Sequence, residues 1–285
     1  MTYERTRAQK FWIYVGVCLI MLFTALPLLL LVIATFSSSG DLNAKTLHLW
    51  PAVWTFDNYS RVFSGEASDG SLPPFLTAMK NSVVVALSST LLTLLIGMFA
   101  AYACARFRFR GRDALLVSIL GFRMVPEVVL LIPLYVIFAR MGMINHKPAL
   151  IVIYMAFNLP YVIWMMQTYF RSIPRSMEES AQIDGVSPLG ILFKFLLPLS
   201  LPGLVATGIF VLLIAWDEFM FASIFTSTYD AKTITVAISE FSKRGMIDFG
   251  MQITGGLLAS LPPIALALFL QKYIISGLSE GSEKG

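Results

Sequence analysis

Ionisable side chains inside long apolar segments are the residues of this 285-residue chain whose types and spacing could do chemistry. Arg123 and Glu127 lie one helical turn apart, and Asp217 directly precedes Glu218. Because charged groups are costly at membrane depth, they usually face a partner or a water-filled path. The first pair therefore predicts either an internal ion pair or a wall of a translocation path. The second pair predicts either an interfacial position or a place in the same path.

Other polar and aromatic side chains extend this candidate path. Tyr154 and Asn158 lie in the next apolar segment, and Trp216 precedes the two acids. For Asn158 the alternatives are a hydrogen bond between helices and a contact with solute. No glycine-rich phosphate loop, HExxH or GxSxG motif occurs, and Cys18 and Cys104 lack metal-binding spacing. We therefore predict no catalytic residues, no enzyme activity and no metal site on this chain.

The composition is that of a protein whose helices cross a membrane. Hydrophobic residues make up 57% of the chain and charged residues 13%, with a mean hydropathy of +0.75. A span needs about 20 apolar residues, and lipid offers the backbone no water to bond, so each span should be helical. The predicted fold is an all-α polytopic membrane protein with six transmembrane helices. The predicted spans are residues 11–36, 75–105, 114–139, 149–170, 202–225 and 250–275.

Positive charges orient these spans. Basic residues precede the first span, and four arginines occupy residues 106–112 after the second. Because Lys and Arg are retained in cytoplasmic loops, both termini are predicted to be cytoplasmic and segments 37–74 and 227–249 external. The first apolar run exceeds the roughly 15 residues of a signal-peptide core, so it is predicted to remain as a membrane anchor.

A polar segment at residues 174–198 separates the fourth and fifth spans. Ser176 and Glu179 have the spacing of a capping box, so a short helix should begin near Ser176. Gly185 can take the left-handed conformation that ends this helix, and Ser187 suits the cap of a second one. A helix lying on lipid is one alternative. The acids of the segment instead favour docking to another protein, because membrane-surface helices usually carry Lys or Arg.

The spacing of this segment is also that of a known motif. Glu179-Ser180-Ala181, then Gly185 after three residues, then Phe195-Leu196-Leu197-Pro198 after nine resembles the EAA loop of binding-protein-dependent ABC importer permeases. The similarity is to the maltose-type second permease subunit of the carbohydrate branch, and it covers nearly the whole chain. Further matches are Thr55-Phe56-Asp57-Asn58-Tyr59, Ile132-Pro133-Leu134-Tyr135 ahead of Gly142, Pro198 to Leu204, and Trp216-Asp217-Glu218-Phe219.

This resemblance implies an ATP-driven importer of a sugar, oligosaccharide or polyol, in which the chain forms half of the path. The helix-turn-helix between spans four and five would dock on a cytoplasmic ATPase. There Glu179 would contact the ATPase, Ala181 would allow close helix packing and Gly185 would make the turn. The residues assigned to ATPase coupling are Glu178, Glu179, Ser180, Ala181, Asp184, Gly185 and Pro198.

The same resemblance implies that the candidate path would bind a carbohydrate. Carboxylates can accept hydrogen bonds from sugar hydroxyls, and Trp216 or Tyr154 could supply an apolar platform for a sugar ring. The candidate path residues are Arg123, Glu127, Tyr154, Asn158, Trp216, Asp217 and Glu218.

The chain departs from the family pattern in three places, the last of which comprises two residues. Ser180 replaces the usual second alanine of the motif, and Asp217 replaces the usual asparagine. The C-terminal tail has Ser282 and Glu283 where small and apolar residues are common.

The expected assembly follows from the resemblance. Its partners would be a homologous second permease subunit, an ATPase dimer, an external solute-binding protein, the carbohydrate solute and membrane lipid, without nucleic acid. This chain would bind no cofactor, whereas ATP and magnesium would bind the ATPase, and the location would be a bacterial-type cytoplasmic membrane. One alternative is an ion-gradient-driven secondary transporter in which the four ionisable path residues form a relay. Another is a membrane scaffold without transport.

Overall fold

The computed structural model describes residues 6–42, 50–64, 74–243 and 246–279. Residues 43–49 and 65–73 of the first predicted external segment, and the C-terminal residues 280–285, lie outside this description. Almost all of the described chain is helical. The helices are α1 (Arg7–Thr35), α2 (Ser39–Leu42), α3 (Asp57–Ser64), α4 (Pro74–Arg106), α5 (Arg112–Phe122), α6 (Glu127–Arg140), α7 (Lys147–Ser172), α8 (Arg175–Ile183), α9 (Pro188–Ile191), a π-helical turn (Leu192–Leu196), α10 (Leu197–Leu199), α11 (Leu201–Asp217), α12 (Met220–Phe225), α13 (Ile234–Ser239) and α14 (Phe249–Ser279).

A short β-ribbon interrupts this helical pattern. β1 (Ser242–Lys243) and β2 (Met246–Ile247) pair antiparallel. The chain divides into two compact units. The first comprises Met1–Phe75 with Ile238–Ser260, and the second comprises Leu76–Ala237 with Leu261–Gly285.

Membrane-length helices are present at most of the predicted positions. In the described part of the chain, α1, α4, α7 and residues Phe249–Tyr273 of α14 are each long and apolar enough to cross a bilayer. Two bent helix pairs, α5 with α6 and Pro188–Leu199 with α11, raise the number to six if each pair is one span. The all-helical membrane fold is therefore confirmed, with four to six candidate spans.

The third predicted span is not one helix. α5 ends at Phe122, α6 begins at Glu127, and the two axes differ by 92°. Pro126 explains the break, because proline has no backbone N–H and disfavours a helical conformation of the preceding Val125. The prediction of an unbroken helix over residues 114–139 is therefore wrong.

The fifth predicted span is also interrupted. α11 ends at Asp217, Glu218 adopts an extended backbone conformation, and α12 begins at Met220. The predicted unbroken helix over residues 202–225 is therefore wrong at its external end. The cause is a side-chain cap by Glu218, which is described below with the candidate path.

The first unit is organised around the end of α1. That helix begins with a capping box in which Thr6 Oγ1 accepts from the Gln9 backbone N–H, while Gln9 Oε1 accepts from the Thr6 N–H. At its other end, Asn58 Nδ2 donates to the carbonyl oxygens of Thr35 (3.0 Å) and Ser37 (2.8 Å). A buried amide therefore satisfies carbonyl groups that the helix leaves free.

The second unit packs three long helices at close range through glycine. A Cβ atom on Gly97 of α4 would lie 2.5 Å from Val162 Cγ1 of α7. A Cβ atom on Gly203 of α11 would lie 2.6 Å from the Tyr169 ring of α7. Small residues let helix backbones approach closely where lipid gives no hydrophobic driving force. α7 therefore packs tightly against both α4 and α11.

Candidate functional site

The polar segment folds as a compact element, residues 175–199, hereafter the coupling element. Its first helix, α8, begins at Arg175 with Pro174 in the cap position and no side-chain cap. The predicted helix start near Ser176 is confirmed, but the predicted capping box at Ser176 and Glu179 is wrong. Pro174 fixes the backbone just ahead of the helix, so Ser176 lies inside it, where its carbonyl oxygen accepts from Ser180 Oγ at 3.0 Å.

The turn after α8 is the one that the sequence predicts. Gly185 has a φ of +79°. Its N–H donates to the Gln182 carbonyl oxygen, and the Val186 N–H donates to the Ala181 carbonyl oxygen, both at 3.0 Å. This pair of bonds is the Schellman motif, which satisfies carbonyl groups at a helix end. Ser187 Oγ then accepts from the Gly190 N–H and caps α9, which confirms the second predicted helix start.

The coupling element is anchored in the hydrophobic core of the second unit. Ala181, Ile191, Leu192 and Leu196 are buried. They belong to one cluster with side chains of three long helices: Met98, Ala101, Tyr102 and Ala105 of α4, Val162, Met166 and Phe170 of α7, and Val211 of α11. Interiors packed in this way transmit displacement instead of absorbing it. A push on the coupling element would therefore reach all three helices.

An ion pair joins the coupling element to α4. Arg106 Nη2 lies 2.5 Å from Glu178 Oε1, and both side chains are more than nine-tenths buried. The contact is an ion pair without the alignment of a regular hydrogen bond. Glu178 was expected to act at the ATPase, but the structure directs its carboxylate into the chain. Arg106 was missed because its cluster of arginines indicated only membrane orientation.

The outward surface of the coupling element combines acids with apolar side chains. Glu179, Ser180, Asp184, Gly185 and Pro198 are exposed, whereas Ala181 is buried. Ile183 is 87% exposed and Leu189 58% exposed. Beside this surface lies a cavity of about 290 Å³ that is lined by Tyr102, Arg106, Phe107, Arg175, Glu178, Glu179, Gln182 and Pro188.

Gly185→Val is expected to impair the coupling element without preventing membrane insertion. A Cβ atom would meet no neighbour there, so the effect would come from the backbone conformation, which costs about 1–2 kcal/mol in an L-residue. If the ATPase expected from the family resemblance docks here, its association and solute-stimulated ATP hydrolysis should both fall, as measured by copurification and phosphate release. Gly185→Asn should retain more function, because Asn tolerates this conformation.

Gly142 provides the matched control for that variant. It has a φ of +67°, a Cβ atom there would also meet no neighbour, and it follows α6 instead of α8. Gly142→Val carries the same backbone penalty away from the coupling element. Equal loss of ATPase association in the two valine variants would contradict a specific role for the turn at Gly185.

The first two candidate path residues lie on either side of the break between α5 and α6. The Arg123 guanidinium lies over the Tyr161 ring, with Cζ 5.7 Å from the centroid, and Glu127 is exposed at the start of α6. The two residues form no ion pair in the described structure, so that alternative is wrong. The reason is the 92° bend, which removes the helical spacing that would have brought them together.

Glu218 and Tyr154, unlike the previous pair, are in direct contact. The Tyr154 hydroxyl donates to Glu218 Oε2, and the Glu218 carboxylate also accepts from the backbone N–H groups of Phe221 (2.7 Å) and Ala222 (3.1 Å). Thr235 Oγ1 donates to the Glu218 carbonyl oxygen at 2.8 Å. Glu218 therefore caps α12 and fixes the break in the fifth predicted span.

The other path candidates are distributed differently. Asp217 is exposed, and Trp216 is buried. Asn158 is buried, and its Nδ2 donates to the Tyr154 carbonyl oxygen on the same helix at 2.9 Å. The alternative of an interhelical bond from this amide group is therefore wrong, because the helix's own backbone lies within reach. Asn158 Oδ1 has no hydrogen-bond partner in the described structure.

A polar latch that the sequence did not reveal holds the segment after α12. Asn145 has a φ of 62°, and its N–H donates to the Phe225 carbonyl oxygen at 2.7 Å. Its Oδ1 accepts from the N–H groups of Ser227 (2.9 Å) and Thr228 (3.0 Å). Asn tolerates the left-handed region, which is the only local signal for this position. The latch fixes where the chain turns back beyond α12.

Comparison with known proteins gives a consistent family. Residues 93–280 match the family described as "Binding-protein-dependent transport system inner membrane component". The chain is 33% identical over 278 residues to the trehalose/maltose transport system permease protein MalG of Thermococcus litoralis, covering 97% of this chain and 98% of that protein. It is 32% identical over 281 residues to the trehalose transport system permease protein SugB of Mycobacterium tuberculosis, covering 98% and 99%.

A solved structure agrees at the level of the fold. A subunit of a bacterial ABC transporter involved in the import of the acidic polysaccharide alginate matches with a TM-score of 0.76. The match covers 95% of this chain and 99% of that chain at 21% identity. At this identity the similarity is one of fold.

Proposed function

We propose that this chain, which belongs to the binding-protein-dependent transport system inner membrane component family, is the permease subunit of an ATP-driven carbohydrate importer. The observation that carries the proposal is the coupling element, whose buried side anchors it to three long helices. Its exposed side presents Glu179 and Ile183 to a partner. The family resemblance predicted from the motif at residues 179–198 is confirmed by the family match.

The ATPase is the partner that this exposed surface fits. Ile183 and Leu189 are large apolar side chains on a helix-turn-helix with acidic neighbours. Exposed apolar side chains rimmed by polar ones mark surfaces that bind protein. ATP and magnesium would bind the ATPase dimer, so hydrolysis takes place in that subunit and not in this chain.

The topology we propose has six spans. α5 with α6 would form the third span and α11 with the chain on either side of it the fifth, which gives four unbroken and two interrupted crossings. An even number of spans keeps both termini in the cytoplasm and leaves the coupling element on the ATPase side. The location would be a bacterial-type cytoplasmic membrane, as the family's description as an inner membrane component supports.

A sugar or oligosaccharide is the solute class that the relatives support. Two relatives of at least 32% identity are described as permeases for trehalose or maltose, and each match covers 97% or more of this chain. Asp217 is the exposed acid of the candidate path, and carboxylates accept hydrogen bonds from sugar hydroxyls. A second permease subunit would complete the path, and an external solute-binding protein would deliver the sugar.

Reconstitution tests this function. The complete transporter in proteoliposomes is expected to accumulate radiolabelled trehalose, maltose or another sugar of a test panel only with internal ATP, the ATPase and the binding protein. Liposomes holding this chain alone should show no uptake under a proton or sodium gradient. Gradient-driven uptake by the isolated chain would overturn the proposal in favour of a secondary transporter. Nothing in the similarities supports that alternative.

A further inference from the structure

We propose that Arg106 and Glu178 are positioning residues that make α4 and the coupling element move as one body. This inference rests on the proposed function, since it concerns how the ATPase would drive the permease. α7 and α11 are joined to the coupling element along the chain, but α4 is not. Any force on α4 must therefore pass through side-chain contacts.

Arg106 bridges the two sides of the turn that leads into α8. Its Nη2 donates to the Ile173 carbonyl oxygen at 3.0 Å and lies 2.5 Å from Glu178 Oε1. Ile173 precedes Pro174, where α7 has ended, and Glu178 lies in α8. A single guanidinium therefore fixes the direction in which α8 leaves α7. Both contacts are made by the same nitrogen, so they depend on where the end of the Arg106 side chain lies.

A second contact joins α4 to the far side of the Gly185 turn. The Tyr102 hydroxyl donates to the Pro188 carbonyl oxygen at 3.0 Å. The Tyr102 ring also packs edge-on against Phe170 of α7, with centroids 6.3 Å apart. The end of α4 thus contacts α8 and α9 of the coupling element and the end of α7.

Burial makes the ion pair sensitive to the loss of one member. The Arg106 side chain is 7% exposed and the Glu178 side chain 8%. Breaking a buried pair leaves an uncompensated charge, whereas an exposed pair contributes little. The element would then have to shift until water or another cation reached the remaining charge. Such a shift changes how ATPase closure is passed to α4, even where the ATPase still binds.

The experiment uses the complete transporter in proteoliposomes and measures sugar uptake per ATP hydrolysed, together with copurification of the ATPase. Arg106→Gln and Glu178→Gln are each expected to lower this ratio about tenfold, because one charge stays buried without its partner. Arg106→Lys should keep the charge, but its side chain is one bond shorter and reaches the two oxygens less well, so its ratio should lie between those of Arg106→Gln and the unmodified protein. Arg110→Gln is the matched control. Arg110 is exposed in the segment between α4 and α5, and its variant should keep the original ratio.

A charge exchange separates positioning from folding. Arg106→Glu and Glu178→Arg should each lose uptake, and the double variant should recover part of it. If a single variant loses the ATPase or cannot be purified, recovery of assembly by the double variant supports the pair. Absence of any recovery overturns it. An unchanged uptake ratio in both glutamine variants also overturns the inference. Failure of the unmodified complex to import sugar would instead count against the proposed function.

Discussion

Glu218→Ala is expected to lower the stability of the protein by about 2–4 kcal/mol, because one carboxylate satisfies three donors at once. The Tyr154 hydroxyl and the N–H groups of Phe221 and Ala222 would all lose their acceptor. Without the cap, α12 should fray, and the break after α11 would no longer be held in place. The measurement is the thermal unfolding midpoint of the purified protein in detergent, together with protease sensitivity near residue 220.

Two further variants separate the cap from the charge. Glu218→Gln keeps one acceptor oxygen and should lose less stability than Glu218→Ala. Asp217→Asn alters the neighbouring acid, which is exposed and makes no hydrogen bond to the rest of the described chain, so the unfolding midpoint should hardly change. A midpoint for Asp217→Asn as low as that of Glu218→Ala would show that acidity in this segment, and not the cap, is what matters.

Gly97→Leu is expected to prevent α4 and α7 from packing and to abolish recovery of folded protein. The Cβ atom alone would lie 2.5 Å from Val162 Cγ1 and 3.0 Å from Val162 Cβ. Val162 is fully buried and β-branched, so it has little freedom to move aside. Even Gly97→Ala should cost about 1–3 kcal/mol by overpacking. Monodisperse yield after membrane extraction and the unfolding midpoint measure both effects.

A double-variant cycle identifies the contact. Val162→Ala alone should destabilise the protein by leaving a cavity. In the Gly97→Ala background the same change should cost much less, since it removes Val162 Cγ1, the atom that the new methyl group approaches most closely. Additive losses would mean that the two residues do not touch. Gly256→Leu, on an exposed face of α14 where a Cβ atom meets nothing, is the control for adding bulk to a helix.

Patterns of a few neighbouring residues predicted the turn at Gly185 and the helix start at Ser187 in the coupling element. Gly185 was expected to be left-handed and Ser187 to cap a helix, and both are so. The rule for Ser176 failed because Pro174 already determines where α8 begins. Capping boxes and helix ends can be read from a few neighbouring residues, but neighbouring signals can compete. The outcome then depends on which signal contributes more free energy, and the spacing of the residues does not reveal that contribution.

The sequence did not predict which side chains that are distant along the chain contact each other. Tyr154 and Glu218 were both identified as candidates, yet no pattern showed that one bonds to the other or that Glu218 caps a helix. The partnership of Arg106 with Glu178 was hidden for a different reason. Arg106 belongs to a run of arginines with an adequate explanation in membrane orientation, so nothing marked it as different from Arg108 or Arg110. Only its burial separates it from them.

The apolar side chains on the outer surface of the coupling element make an unassembled copy of this subunit chemically different from an assembled one. In a copy that has inserted without a partner, Ile183 and Leu189 remain exposed to water, where each exposed Å² of apolar surface costs about 25 cal/mol. These exposed apolar side chains distinguish an unassembled copy from an assembled one. If the proposed ATPase covers this surface, proteases and chaperones that recognise exposed apolar segments would reach it only in unassembled copies.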